Sequence, residues 1–150
     1  MIMAQTHSKS ALWIKRLQEE GYRLTNPRRI VVDILAHSKQ AMDANEIYRE
    51  AKKQHARIGL VSVYRTIEKL EDLKLIQRVH KPEGCHAYIA GFVGHQHLLI
   101  CSQCGRAEFF EGEDLQPLLD RVSEESHYLI QDHWLQLFGI CPDCRKANKT

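Results

Sequence analysis

Five cysteines stand in this chain, and four of them form two pairs, Cys101-Ser-Gln-Cys104 and Cys141-Pro-Asp-Cys144, separated by 36 residues. In a Cys-x-x-Cys turn both sulfurs can face one ion, and two such turns complete a tetrahedron. Thiolates so arranged favour Zn2+ and, less often, an iron–sulfur cluster. Redox-active dithiols or buried free thiols are the competing readings. A four-thiolate site has no spare ligand position, so its expected role is to brace a fold. An odd cysteine count without an apolar leader argues against a disulfide framework and for the cytoplasm.

A second set of metal-type side chains comprises His80, Cys85, His86, His95, His97, Glu108, Glu111 and His133. His95 and His97 lie two apart, so in a strand both imidazoles share one face and can reach one ion. A second metal site is expected in this neighbourhood. His7, His37, His55 and His127 read as ordinary solvated residues, and Trp13, Trp134 and Phe109-Phe110 as core or interface packing.

A third group suits a polyanion. In Val61-Ser62-Val63-Tyr64-Arg65-Thr66-Ile67-Glu68-Lys69-Leu70 the helical period sends Val63, Ile67 and Leu70 inward. Ser62, Tyr64, Arg65, Thr66 and Lys69 are then expected outward. Arg65 can fork onto a guanine or a phosphate, and Tyr64 can pack on thymine methyls. Thr25, Arg28 and Arg29 stand at another predicted helix start, where backbone N–H groups favour phosphate.

The elements that must position these groups follow from pattern. Helices are predicted from about Ala11 to Glu20, from Thr25-Asn26-Pro27 to His37, behind the capping box of Asp43 and Glu46, and from Leu60 to Leu73. Two alternating runs, Leu75–His80 and His86–Ile89, flank Lys81-Pro82-Glu83-Gly84 as a hairpin. Helices followed by a hairpin make a winged helix. Beyond it, strands are predicted over His97–Cys101, Arg106–Phe110, Tyr128–Gln131 and Leu135–Ile140, with an amphipathic helix from about Glu113 to Ser126. The expected fold is therefore α+β. The winged helix ends near residue 84 to 90, and a small α/β domain with the paired cysteines follows.

Composition agrees. The 150 residues are 43% hydrophobic and 27% charged, and no run of 18 apolar residues offers a membrane span. The net charge of +2 conceals a division. Residues 1–84 hold 16 Lys and Arg against 10 Asp and Glu, while residues 85–150 hold 5 against 9. The basic part can face nucleic acid. A metalloenzyme is disfavoured because no general base or substrate-cleft signature accompanies the candidate metal ligands. It would also leave the winged helix unexplained, and tight, metal-dependent DNA binding would decide against both it and a third class, zinc storage or delivery independent of nucleic acid.

Four motifs, in order, carry a resemblance: Gly21-Tyr22-Arg23-Leu24-Thr25-Asn26-Pro27-Arg28-Arg29, Val63-Tyr64-Arg65-Thr66, His95-Gln96-His97-Leu98-Leu99-Ile100-Cys101-Ser102-Gln103-Cys104-Gly105, and Cys141-Pro142-Asp143-Cys144. With them the chain resembles the ferric uptake regulator family of metal-sensing repressors, and most of all its zinc uptake branch. The resemblance implies a winged-helix DNA-binding domain over 1–84, a hinge over 85–94, an α/β dimerisation and metal-binding domain over 95–150, and a homodimer on palindromic double-stranded DNA, with no membrane and no small-molecule substrate. Its DNA contacts would come from Thr25, Arg28, Arg29, Ser62, Tyr64, Arg65 and Lys69. One structural zinc on Cys101, Cys104, Cys141 and Cys144 and one regulatory zinc per chain are expected, with Fe2+ as the alternative regulatory ion. An iron- or peroxide-responsive regulator is the alternative function.

The regulatory set read at the hinge is His80, Cys85, His95 and His97, with His86, Glu108, Glu111 and His133 in reserve. One ion bound by both domains would clamp them. Gly91 stands where the zinc branch usually has its hinge cysteine, and Ala41 replaces a family histidine. A second alignment, counted from Cys101, assigns His95, His97 and His133 to a site within the dimerisation domain, with Gln116 where that site has a Glu.

Overall fold

A computed structural model describes residues 8–81, 83–91, 96–111 and 115–148. The chain divides into two compact units, Met1–Phe92 and Val93–Thr150.

Helix α1, Lys9–Glu19, starts at Ser8, whose hydroxyl accepts from the Ala11 N–H. It ends at Gly21, whose φ of 81° is open to glycine without steric cost, and Tyr22 N–H bonds back to the Leu17 carbonyl at 3.0 Å. Helix α2, Asn26–His37, is capped by Thr25, with Pro27 in the first turn, where an N–H would have no helical partner. Helix α3, Ala44–Gln54, opens with the reciprocal box of Asp43 and Glu46. Helix α4, Leu60–Asp72, starts at Gly59 without a side-chain cap. Leu17, Val31, Leu35, Ile47, Val63 and Leu70, all fully buried, meet in one core. Their three- and four-residue spacing along each helix makes the apolar stripes that exclude water there.

The wing is an antiparallel pair, β1 (Ile76–His80) and β2 (His86–Ala90), running in register from Ile76↔Ala90 to His80↔His86. Met42 adds a third edge through two backbone hydrogen bonds with Tyr88, of 2.9 and 2.8 Å. The first unit thus runs past residue 84, where the sequence had ended it, because β2 belongs to the wing.

In the second unit β3 (Gln96–Cys101) lies between β4 (Ala107–Glu111), antiparallel, and β5 (Gln136–Gly139), parallel. Helix α5, Gln116–Ser126, comes between β4 and β5, and α6, Pro142–Ala147, follows β5. Its predicted start, Glu113, lies outside the described residues. Two expectations need correction. Tyr128–Gln131 forms no strand and leaves Tyr128 and Leu129 exposed. The helix after Cys141 was not expected. Among the described residues of this unit only His97, Leu98, Ile100 and Cys101 are buried.

Candidate metal centre and nucleic-acid surface

The end of β3 and the start of α6 bring the four paired cysteines together. Their sulfurs all lie within 4.8 Å of one another, and Cys104 and Cys141 Sγ are 3.8 Å apart. Four sulfurs 2.3 Å from one tetrahedral zinc would stand about 3.8 Å apart, so the donor set fits that ion. Local structure explains the convergence. Gly105 N–H closes the first turn on the Cys101 carbonyl at 2.9 Å, and Cys141 caps α6. Three ties join the knuckles: Ser102 N–H to Gly139 O at 2.8 Å, Arg106 to Asp143 at 3.0 Å, and Asn148 to Gln103 at 3.0 Å. Backbone N–H groups of Cys104 and Cys141 aimed at the Cys101 sulfur pull its thiol down to about 6. Cys144 moves the other way, to about 12, chiefly because its hydrogen bond with Cys141 favours the protonated thiol. The surroundings of Cys101 therefore favour its thiolate, while metal uptake must displace the proton that those of Cys144 favour.

The second set divides between the units. On the wing, His80 faces His86 across the hairpin with ring centroids 5.0 Å apart, and Cys85 is exposed beside them. In the second unit His97 is 4% exposed, and its ring lies 5.6 Å from that of His133 and 5.5 Å from that of Phe110. Parallel pairing explains the first contact. Leu98 sits opposite Gln136 and bonds the Leu135 carbonyl, which carries residue 133 back beside 97. His95 lies outside the described residues. Glu108 pairs with Arg106 at 2.7 Å. Glu111 pairs with Gln96, one residue out of phase with His97 and so on the opposite face. Gln116 turns its amide to Asp120 at 2.7 Å. At Gly91 a Cβ would stand 2.8 Å from the Lys74 carbonyl oxygen, so no side chain fits there without backbone movement.

On α4, Tyr64 is 45% exposed and Arg65 is exposed, while Ser62 is half-buried. Thr66 corrects the outward reading. It is 2% exposed and donates to the Ser62 carbonyl at 2.8 Å, one turn back. Lys69 lies over the Tyr22 ring at 4.5 Å. Thr25 caps α2, Arg29 is exposed, and Arg28 bonds the Arg23 carbonyl. Sequence reasoning passed over Val61, an apolar side chain 63% exposed beside Ser62. The irregularity of an apolar residue off the inward stripe was its only signal.

The model of the ferric uptake regulator family matches residues 19–138. The ferric uptake regulation protein of Legionella pneumophila is 32% identical over 133 residues, 87% of this chain and 97% of its own length. The structure is similar to a zinc-bound manganese uptake regulator, at 30% identity and TM-score 0.67, covering 85% of this chain and 97% of that one. It is also similar in fold to a zinc uptake regulator in complex with zinc and DNA, at 15% identity and TM-score 0.74, covering 98% and 99%.

Proposed function

The chain belongs to the ferric uptake regulator family, whose members are transcriptional regulators and not enzymes, and from that premise we propose that it is a zinc-responsive repressor of metal uptake genes. Donor chemistry carries the choice of zinc over iron. Outside the four cysteines, the groups brought together are imidazoles, His80 with His86 and His97 with His133, while Glu108 and Glu111 are turned to other partners or another face. Nitrogen and sulfur donors suit Zn2+, whereas a harder iron site draws on carboxylates.

The four cysteines hold the structural zinc. The regulatory zinc is taken by His97 and His133, with His95, two residues before His97 in the sequence, as a further donor. This differs from the hinge set, because a buried His97 already has an imidazole neighbour within its own unit. Two copies of the chain pair through the second unit, whose exposed apolar groups include Leu118, Val122, Leu129 and Trp134. Twofold symmetry then matches a palindromic operator, read by Arg65 and Tyr64 in the major groove with Arg29 on phosphate.

The test is operator binding with and without Zn2+, for the parent protein and for His97→Ala and His133→Ala. A hundredfold switch corresponds to about 2.7 kcal/mol of metal-driven population shift. Both variants should lose it while keeping the four-cysteine zinc. Parent-like zinc responses in both would refute the regulatory assignment. A larger gain with Fe2+ at equal occupancy would move the protein to the iron-responsive reading.

A further inference from the structure

We propose that Val61 is a base-reading residue, whose methyl groups meet the 5-methyl group of a thymine in the major groove and so help to set which operator the chain selects. This rests on the repressor reading and adds to it a residue outside every motif quoted above. Among the described residues of the first unit three large apolar or aromatic side chains are exposed, Leu12, Val61 and Tyr64, and Val61 is the most exposed of them. Two of the three stand three residues apart on α4, where they are neighbours on the helix surface. Val61, Arg65, Glu68 and Asp72 are all exposed and follow one another at steps of four, three and four residues, which makes them one stripe. The buried stripe of Val63, Ile67 and Leu70 lies on the other side of the helix. A valine at 61 therefore contributes nothing to the core, and it stands one turn before Arg65 on the same outward line.

Charge decides which end of that stripe can enter a groove. Its C-terminal half carries Glu68 and Asp72, which repel phosphate, and Glu71 beside them is held by Arg78 at 2.9 Å. Its N-terminal half presents Val61, Tyr64 and Arg65 and no acid. The N-terminal residues of a recognition helix are the ones that reach base edges. The approach is open: α4 starts at Gly59, where even an added Cβ would meet nothing within 4 Å. Of the four bases only thymine offers a methyl group to the major groove. A β-branched side chain in a helix is nearly confined to one rotamer, so Val61 holds its methyls in a fixed place before any contact is made. Four residues of helix rise about 6 Å, which sets the thymine one or two base steps from the base that Arg65 forks onto.

The experiment selects a duplex from a random pool with the full-length parent protein and Zn2+, then replaces each thymine of the selected site in turn by uracil, which removes the 5-methyl group and nothing else. Affinity is measured for the parent, Val61→Ala and Val61→Ile, all of which should melt alike because the side chain is outside the core. For the parent, uracil at one position of a half-site should weaken binding about fourfold, the equivalent of about 0.8 kcal/mol for one buried methylene-sized group. Val61→Ala should lose about as much on the thymine duplex and should not distinguish thymine from uracil at that position, so that the two changes do not add. Val61→Ile should still distinguish them. If Val61→Ala keeps the parent's full response to uracil at every position, or if the selected site holds no thymine within two steps of the base that Arg65 protects, the proposal is overturned and the repressor reading stands. Selection of the same duplex without Zn2+ would remove the zinc-responsive reading and leave the uracil comparison to support Val61. Selection of no duplex by the parent would overturn both.

Discussion

The two units hold themselves together by different means. The first surrounds Leu17, Leu35, Ile47 and Leu70 with four helices, three of them capped by side chains, and excludes water from all of them. The second offers only Leu98 and Ile100 as buried aliphatics among its described residues, and leaves Leu129 83% exposed. A small domain with so little apolar burial needs a further source of stability, and a metal bound by four thiolates is one. On the proposed reading function separates by cohesion: the unit proposed to meet DNA rests on its own core, while the other would draw stability from the metal it binds.

The strongest way to break that contrast is to remove a thiolate. Cys144→Ser should abolish cooperative unfolding of the second unit and dissociate the dimer, because structural zinc contributes on the order of 10 kcal/mol in zinc-finger peptides. Calorimetry should show one transition lost and the first unit's retained. If the variant stays dimeric with both transitions, metal is not what holds the second unit. The converse lesion, Leu35→Ala, opens a cavity in the first unit and should cost about 2–5 kcal/mol. It should lower only that unit's transition and leave zinc content alone.

Function can be lost without touching either kind of cohesion. Arg65→Ala should weaken operator binding by about 1–3 kcal/mol if the contact is bidentate to a base, with melting and zinc unchanged. Equal loss on random DNA would show a phosphate contact instead. The smallest effect belongs to a cap. Asp43→Ala breaks one half of the box at α3 and should cost about 1 kcal/mol in the first unit, visible as a shifted denaturant midpoint with unchanged slope.

Acid should sharpen the same contrast. The Cys101 thiol lies below its ordinary value of 9.0, at about 6. Its contribution to the second unit is therefore fully present above pH 9 and lost as pH falls through 6, where protons also compete with the metal for the sulfurs. Calorimetry of zinc-loaded protein from pH 8 to 5 should show the second unit's transition weaken as metal is displaced while the first unit's changes less.

Local signals were readable where one residue settles the matter. Thr25 before Pro27, Asp43 three before Glu46, and Gly21 each mark a helix end, and each does so in the structure. The paired cysteines were readable because their spacing alone nearly fixes the geometry. Thr66 misled because its type is polar, although it lies three after Val63 and four before Leu70, on the inward stripe; a hydroxyl satisfied within its own helix can be buried there. Tyr128–Gln131 alternates like a strand, yet its apolar groups have no sheet to join. Helix α6 is six residues long, too short for a period to register. The contact of His97 with His133 depends on which strand β5 joins and in what register, and no local pattern carries that.

The parallel pairing of β3 with β5 bears on the order in which the molecule assembles. The wing closes between residues as near as His80 and His86, whereas β3 must wait for a partner whose first pair is Leu98 with Gln136. Hairpins form in about 1–10 μs, while pairings of large sequence separation carry a greater loop-closure cost and come later. During that lag Cys101 and Cys104 stand together without Cys141 and Cys144, as a dithiol open to oxidants. With the four thiolates holding zinc as proposed, maturation of the second unit would be a race between zinc capture and thiol oxidation.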